Sequence, residues 1–82
     1  MSLAEVKAVV ADVADQTRTA AELVRRARDG VAESVRILTD LSRQHPESLV
    51  PVVLSRAVDE LDRCHDHVAG ALQAVGDLDA RL

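Results

Sequence analysis

Hydrophobic positions recur every three or four residues along two stretches of this chain, which a short polar break separates. Steps of three and four average about 3.5 residues, the spacing that keeps one side of a helix against a partner helix. The pattern therefore predicts two long helices that pack through these positions. The first series is Leu3, Val6, Val10, Val13, Thr17, Ala20, Val24, Ala27, Val31, Ser34, Leu38 and Leu41. The second series is Val50, Leu54, Ala57, Leu61, Cys64, Val68, Ala71, Val75, Leu78 and Leu82.

The first helix is predicted to span about residues 3–43. Ser2 and Glu5 have the spacing of a capping box, in which the serine hydroxyl accepts from the backbone N–H three residues on. Gly30 lowers helix propensity by about 1 kcal/mol relative to alanine. The hydrophobic phase nevertheless continues from Ala27 to Val31, so we expect one continuous helix.

A turn over about residues 44–49 and a second helix over about residues 50–80 are predicted next. Pro46 forces the residue before it out of the helical conformation. Ser48 is a suitable N-cap, which would place Pro51 in the first turn, where a missing N–H costs little.

These elements predict an all-α fold, a single domain over residues 1–82 that forms an antiparallel two-helix hairpin. The first helix is the longer, so Leu3, Val6 and Val10 should project past the end of the second and need cover.

Additional apolar columns flank both series, where a column is a set of residues seven positions apart. Val9, Leu23 and Ile37 flank the first series, and Val58 and Leu72 flank the second. A stripe this wide suits a helix with two neighbours, so we expect the hairpin to form a four-helix bundle as a homodimer or with another helical protein. The expected interface residues are Leu3, Val6, Val9, Val10, Val13, Leu23, Ile37, Val58 and Leu72.

Composition narrows the possible functions. The chain has no Phe, Tyr or Trp, so it lacks the aromatic platforms on which single-stranded nucleic acids stack. Its net charge of −4 also disfavours phosphate backbones, so no nucleic-acid partner is expected. No Gly-rich phosphate loop or nucleophile elbow is present, and we expect neither an enzyme nor a cofactor.

The cluster Cys64-His65-Asp66-His67 contains residue types that bind metals. Residues three apart share a helix face, so Cys64 and His67 are the candidate ligands, whereas His65 points elsewhere. Zinc requires three or four ligands, and the preferred interpretation is a buried thiol beside two partly exposed histidines. A metal-binding bundle using Cys64, His65 and His67 remains the alternative.

The sequence also bears on location. No charged-then-apolar leader opens the chain, and no apolar run approaches the ~18 residues that a membrane span needs. We therefore expect a cytoplasmic protein without a membrane-spanning segment.

The hairpin resembles, in architecture only, the small Trp-x-Gly proteins of type VII secretion systems, which pair into four-helix dimers. The resemblance covers the whole chain, but the turn reads His45-Pro46-Glu47-Ser48 without Trp-x-Gly, and the family's carboxyl-terminal Tyr-to-Asp signal is missing. It implies a partner or chaperone-like subunit. The sequence thus favours a non-enzymatic interaction or oligomerisation module, with an antitoxin-like regulatory partner as a further alternative.

Overall fold

The computed structural model describes the whole chain, Met1–Leu82, as two α-helices joined by one short connection. Helix α1 spans Leu3–Ser42 and helix α2 spans Val52–Arg81. The helices pack against each other along a rod of 66 × 15 × 14 Å. Forty helical residues at about 1.5 Å each account for nearly the whole length of that rod. The predicted all-α hairpin is therefore confirmed, whereas α2 begins later than expected.

The amino end of α1 is capped as the sequence indicates. The Ser2 hydroxyl oxygen accepts from the Glu5 backbone N–H at 3.1 Å. The same hydroxyl donates to Glu5 Oε1 at 3.3 Å, so the carboxylate binds the capping side chain. The cap satisfies one of the amide groups that the first turn of a helix leaves without a partner.

Helix α1 continues through Gly30 without a break, as predicted. The Ser34 hydroxyl donates to the Gly30 carbonyl at 3.2 Å, and the Thr17 hydroxyl donates to the Val13 carbonyl at 2.7 Å. These bonds satisfy two polar side chains within their own helix. A methyl group added at Gly30 would meet no atom within 4 Å, so the hairpin itself does not require glycine there.

Ser42, the last residue of α1, fixes the start of the connection. Its hydroxyl donates to the Leu38 carbonyl at 2.7 Å and accepts from the Leu49 backbone N–H at 2.8 Å. One side chain thus joins the final turn of α1 to the segment that leads into α2.

The predicted N-cap of the second helix is wrong. Pro51, with an extended backbone, occupies the N-cap position, and α2 starts at Val52. The Ser48 hydroxyl instead accepts from the Val50 N–H at 3.2 Å, two residues on. A proline disfavours helical geometry in the residue before it, so the helix cannot begin at Val50.

The two helices contact each other through an inner seam of half-buried residues. On α1 the seam comprises Val10, Ala14, Thr17, Ala21, Val24, Arg28, Val31, Val35, Leu38 and Ser42. On α2 it comprises Leu54, Val58, Leu61, His65, Val68, Leu72, Val75 and Leu82. None of the 82 residues is fully buried.

On each helix the inner seam shares one column with the predicted seam, and its other column is displaced by one residue. One predicted column on each helix packs as expected, but Cys64 and Ala71 of the second predicted α2 column are exposed. Val58 and Leu72 take their place in the seam, which brings larger apolar side chains between the helices.

Replacing Ser42 with alanine should destabilise the hairpin by about 1 kcal/mol, because the substitution removes a partner from both the Leu38 carbonyl and the Leu49 N–H. Ser55→Ala is the matched control, since Ser55 is exposed and its hydroxyl makes no hydrogen bond in the structure. Thermal unfolding followed by circular dichroism measures both. Equal unfolding midpoints for the two variants would contradict the proposed linking role of Ser42.

Candidate functional site

An exposed stripe of mostly apolar residues runs the length of α1 beside the inner seam. Each member precedes an inner-seam residue by one position. The stripe therefore has the same three-and-four spacing as the seam and forms a continuous surface beside it. This stripe and an equivalent one on α2 together form what we call the open face. Its α1 part consists of Val9, Val13, Gln16, Ala20, Leu23, Ala27, Gly30, Ser34, Ile37 and Leu41. All of these residues are exposed to solvent.

Helix α2 carries the equivalent stripe, which completes the open face. It consists of Val53, Ala57, Glu60, Cys64, His67, Ala71, Ala74, Leu78 and Arg81. An antiparallel helix pair has an approximate twofold axis normal to its plane, so equivalent columns of its two helices lie on the same side. The two stripes therefore form one face of the hairpin.

The ion pair between the helices supports this assignment. Arg28 Nε donates to Asp62 Oδ1 at 2.8 Å. Arg28 belongs to the inner-seam column farther from the open face, and Asp62 lies one position beyond the seam residue Leu61 on that same side. The hydrogen bond that Arg28 donates to Asp62 raises the pKa of Arg28, so this link stays charged on the edge away from the open face.

Large side chains of the open face are substantially accessible. Leu23 is 58% exposed, Leu41 57%, Ile37 47% and Val53 75%. Single exposed apolar residues are ordinary on protein surfaces, but contiguous patches at helix-packing spacing mark interaction sites.

Most charges of the hairpin lie outside the open face, whose charged members are Glu60 and Arg81 on α2. None of the ion pairs involves an open-face residue, and the α1 part of the face carries no charge. The outer side of α1 instead carries neighbouring pairs such as Arg36 with Glu33 and Asp40. This separation of charge is the pattern of a helix that meets solvent on one side and protein on the other.

The structure divides the interface residues expected from sequence into two groups. Val9, Val13, Leu23 and Ile37 lie on the open face, whereas Val58 and Leu72 lie in the inner seam. At the free end of α1, Leu3 is exposed while Val6 and Val10 are half-buried.

The open face also includes residues that sequence reasoning did not place in an outward interface. Leu41 and Leu78 were assigned to the seam between the two helices, and Val53 was not assigned. The sequence shows that the apolar stripe is wide. It does not show which of its columns pack between the two helices and which stay exposed to solvent; the structure shows this.

The residues of the candidate metal cluster are separated in the structure. Cys64 is exposed, which corrects the expectation of a buried thiol, since its column faces away from the inner seam. Cys64 and His67 lie on the open face and His65 lies in the inner seam. No three His, Cys, Asp or Glu side chains come together in a way that could hold a metal ion.

Comparison with protein-family models, curated proteins and solved structures finds no match to this chain. Neither helix has the length and apolar character needed to cross a membrane.

The ion pairs on the outer side of α1 make the stability of the folded hairpin depend on pH. Hydrogen bonds from Arg25 and Arg36 hold the pKa values of Glu22 and Glu33, respectively, below the usual 4.5. A lowered folded-state pKa means that the stabilisation is present above pH 4.5 and is lost as the pH falls through the folded value.

Arg36→Gln should therefore lower the thermal midpoint at neutral pH, and this deficit should shrink as the pH falls below 4.5 and Glu33 becomes protonated. Arg63→Gln is the control, because it removes the same charge from a residue in no ion pair. A deficit for Arg36→Gln that is unchanged between neutral and acid pH would refute the assignment.

Proposed function

We propose that this chain is a non-enzymatic protein–protein interaction module that works by packing its open face against another helical surface. The observation that supports this proposal most strongly is the open face itself. It is mostly apolar, continuous and spaced for helix packing; its α1 part carries no charge, and its α2 part carries Glu60 and Arg81.

The accessible area of the chain supports the same conclusion. The hairpin exposes 6006 Å². A folded monomer of its mass exposes about 4,800 Å² according to the general scaling of surface with mass. The excess is thus about 1,200 Å², more than the ~800 Å² that each partner contributes to a standard interface. A partner on the open face would bring the exposed area down to the ordinary range.

The chemistry of the open face defines the kind of partner. Aliphatic side chains and small residues without aromatic rings fit the ridges of another helix better than a polar small molecule. A binding subunit of this kind agrees with the partner or chaperone role that the resemblance to Trp-x-Gly hairpins implies. Cys64, His65 and His67 do not converge, so no observation favours the metal-binding alternative.

Site-specific photo-crosslinking in the cells that produce the protein tests the proposed function. A small diazirine amino acid replaces Ala71 on the open face or, in the matched control, Ala69. Both alanines are exposed on α2, and they lie two positions apart on nearly opposite sides of the helix. We expect one dominant crosslinked product from position 71 and little from position 69.

A diazirine at Ala27, on the α1 part of the open face, should give a product of the same mass as the one from position 71. Equal yields from positions 69 and 71, or no product from either open-face position, would overturn the proposed function. The mass of the product identifies the size of the partner, and the result is independent of whether that partner is a second copy.

A further inference from the structure

We infer that the occupant of the open face is a second copy of this chain, turned end for end about a twofold axis that crosses both helices. This inference rests on the proposed function and adds the partner and its orientation. The observation that carries it is a symmetry in the open face of α1. Both ends of this stripe carry large apolar residues and its middle carries mostly small ones, so its order of sizes is similar in both directions about residue 25, with Leu23 opposite Ala27 as the exception.

The ends of the α1 stripe pair large residues with large residues. When a second α1 lies antiparallel with the axis at residue 25, Val9 of one copy faces Leu41 of the other. One turn further in, Val13 faces Ile37. These four side chains are all exposed in the single hairpin, and in the pair they cover one another at both ends of the contact.

The polar residues of the α1 stripe also meet. Gln16 of one copy faces Ser34 of the other, so each polar side chain lies opposite a group with hydrogen-bonding capacity. A polar group buried against an apolar surface loses that capacity at a cost of about 1–3 kcal/mol. Pairing these two residues avoids this loss and disfavours a shifted register.

The centre of the α1 stripe combines small residues. Ala20 of one copy faces Gly30 of the other, and Leu23 faces Ala27. Small side chains allow close approach of the backbones, and a large residue opposite a small one fills the space beside the axis. The glycine that the isolated hairpin does not require thus has a packing role between the copies.

The stripe on α2 has its own centre of symmetry between residues 65 and 66. About this centre Val53 faces Leu78 at the ends and Cys64 faces His67 near the middle, while the charged Glu60 faces Ala71. Contacts within the hairpin show that the two centres coincide. Arg28 bonds Asp62 and Ser42 bonds Leu49, which puts residue 25 of α1 level with residues 65 and 66 of α2.

A single twofold axis can therefore relate both helices of one copy to those of the other. The product is a four-helix bundle in which α1 packs on α1 and α2 packs on α2, each antiparallel. The same patch of each copy is buried, which is the self-complementary contact that twofold dimers use. Each chain exposes about 1,200 Å² more than a compact monomer of its mass, and a standard interface buries ~800 Å² per partner.

Two glycines provide a matched pair for testing the inference. Gly30 lies on the open face and Gly70 lies off it, and a side chain at either position meets no atom of the hairpin within 4 Å. Gly30→Glu and Gly70→Glu change charge and helix propensity equally. In sedimentation at micromolar concentration, wild type and Gly70→Glu should have twice the chain mass of 8.8 kDa, and Gly30→Glu should have the single mass.

Spin-label distances test the orientation. In a Cys64→Ser background, labels at Thr39→Cys should be separated along the bundle by about 42 Å, and labels at Thr19→Cys by about 18 Å, at 1.5 Å per residue. Both threonines are exposed outside the open face. A dimer with its axis parallel to the helices would give no such axial separation at either position.

A monomeric wild type, or equal masses for the two glycine variants, would overturn the second-copy inference, as would similar distances for the two label positions. A photo-crosslinked product of another mass from Ala71 would then leave the proposed function standing with a different partner. The absence of any product specific to the open face would remove both.

Discussion

Two helices cannot enclose a core, and this geometric limit governs the rest of the molecule. Each helix of the hairpin has one neighbour, so every side chain in the inner seam keeps some contact with solvent, and none of the 82 residues is fully buried. Hydrophobic stabilisation is proportional to the apolar area removed from water. A hairpin of Val, Ala and Leu therefore gains little from its internal contact, and its remaining apolar surface is available for a second one.

The inner seam and the open face together account for the unusual width of the apolar stripe. Helix α1 uses two columns for the inner seam and two more for the open face, and apart from Arg28 its ion pairs occupy the columns that remain. The Arg28–Asp62 pair lies at the edge of the inner seam away from the open face and shows which levels of the two helices lie side by side. Internal alignment then determines which residues of α1 and α2 lie level on the open face.

Local signals in the sequence were sufficient for the helices. The Ser2 cap, the uninterrupted phase through Gly30 and the proline-containing break predict the hairpin because each depends on neighbouring residues. The start of α2 was misplaced because Ser48 resembles a cap, while the conformational restriction that Pro51 places on Val50 decides the boundary. Cys64 was placed inside for a different reason. The α2 column that contains Cys64 and the neighbouring column that contains Val58 and Leu72 are both apolar enough to form the seam. Which of them faces α1 depends on how Val58 and Leu72 pack against that helix.

The central claim is that the folded hairpin is completed by covering its open face with a second copy. The thermal unfolding midpoint measured over a hundredfold range of protein concentration tests this most directly, because association that is coupled to folding makes the midpoint depend on concentration. The account predicts a midpoint that rises steadily with concentration. A midpoint that stays constant over that range would show that the isolated hairpin is the stable unit, contradicting the claim.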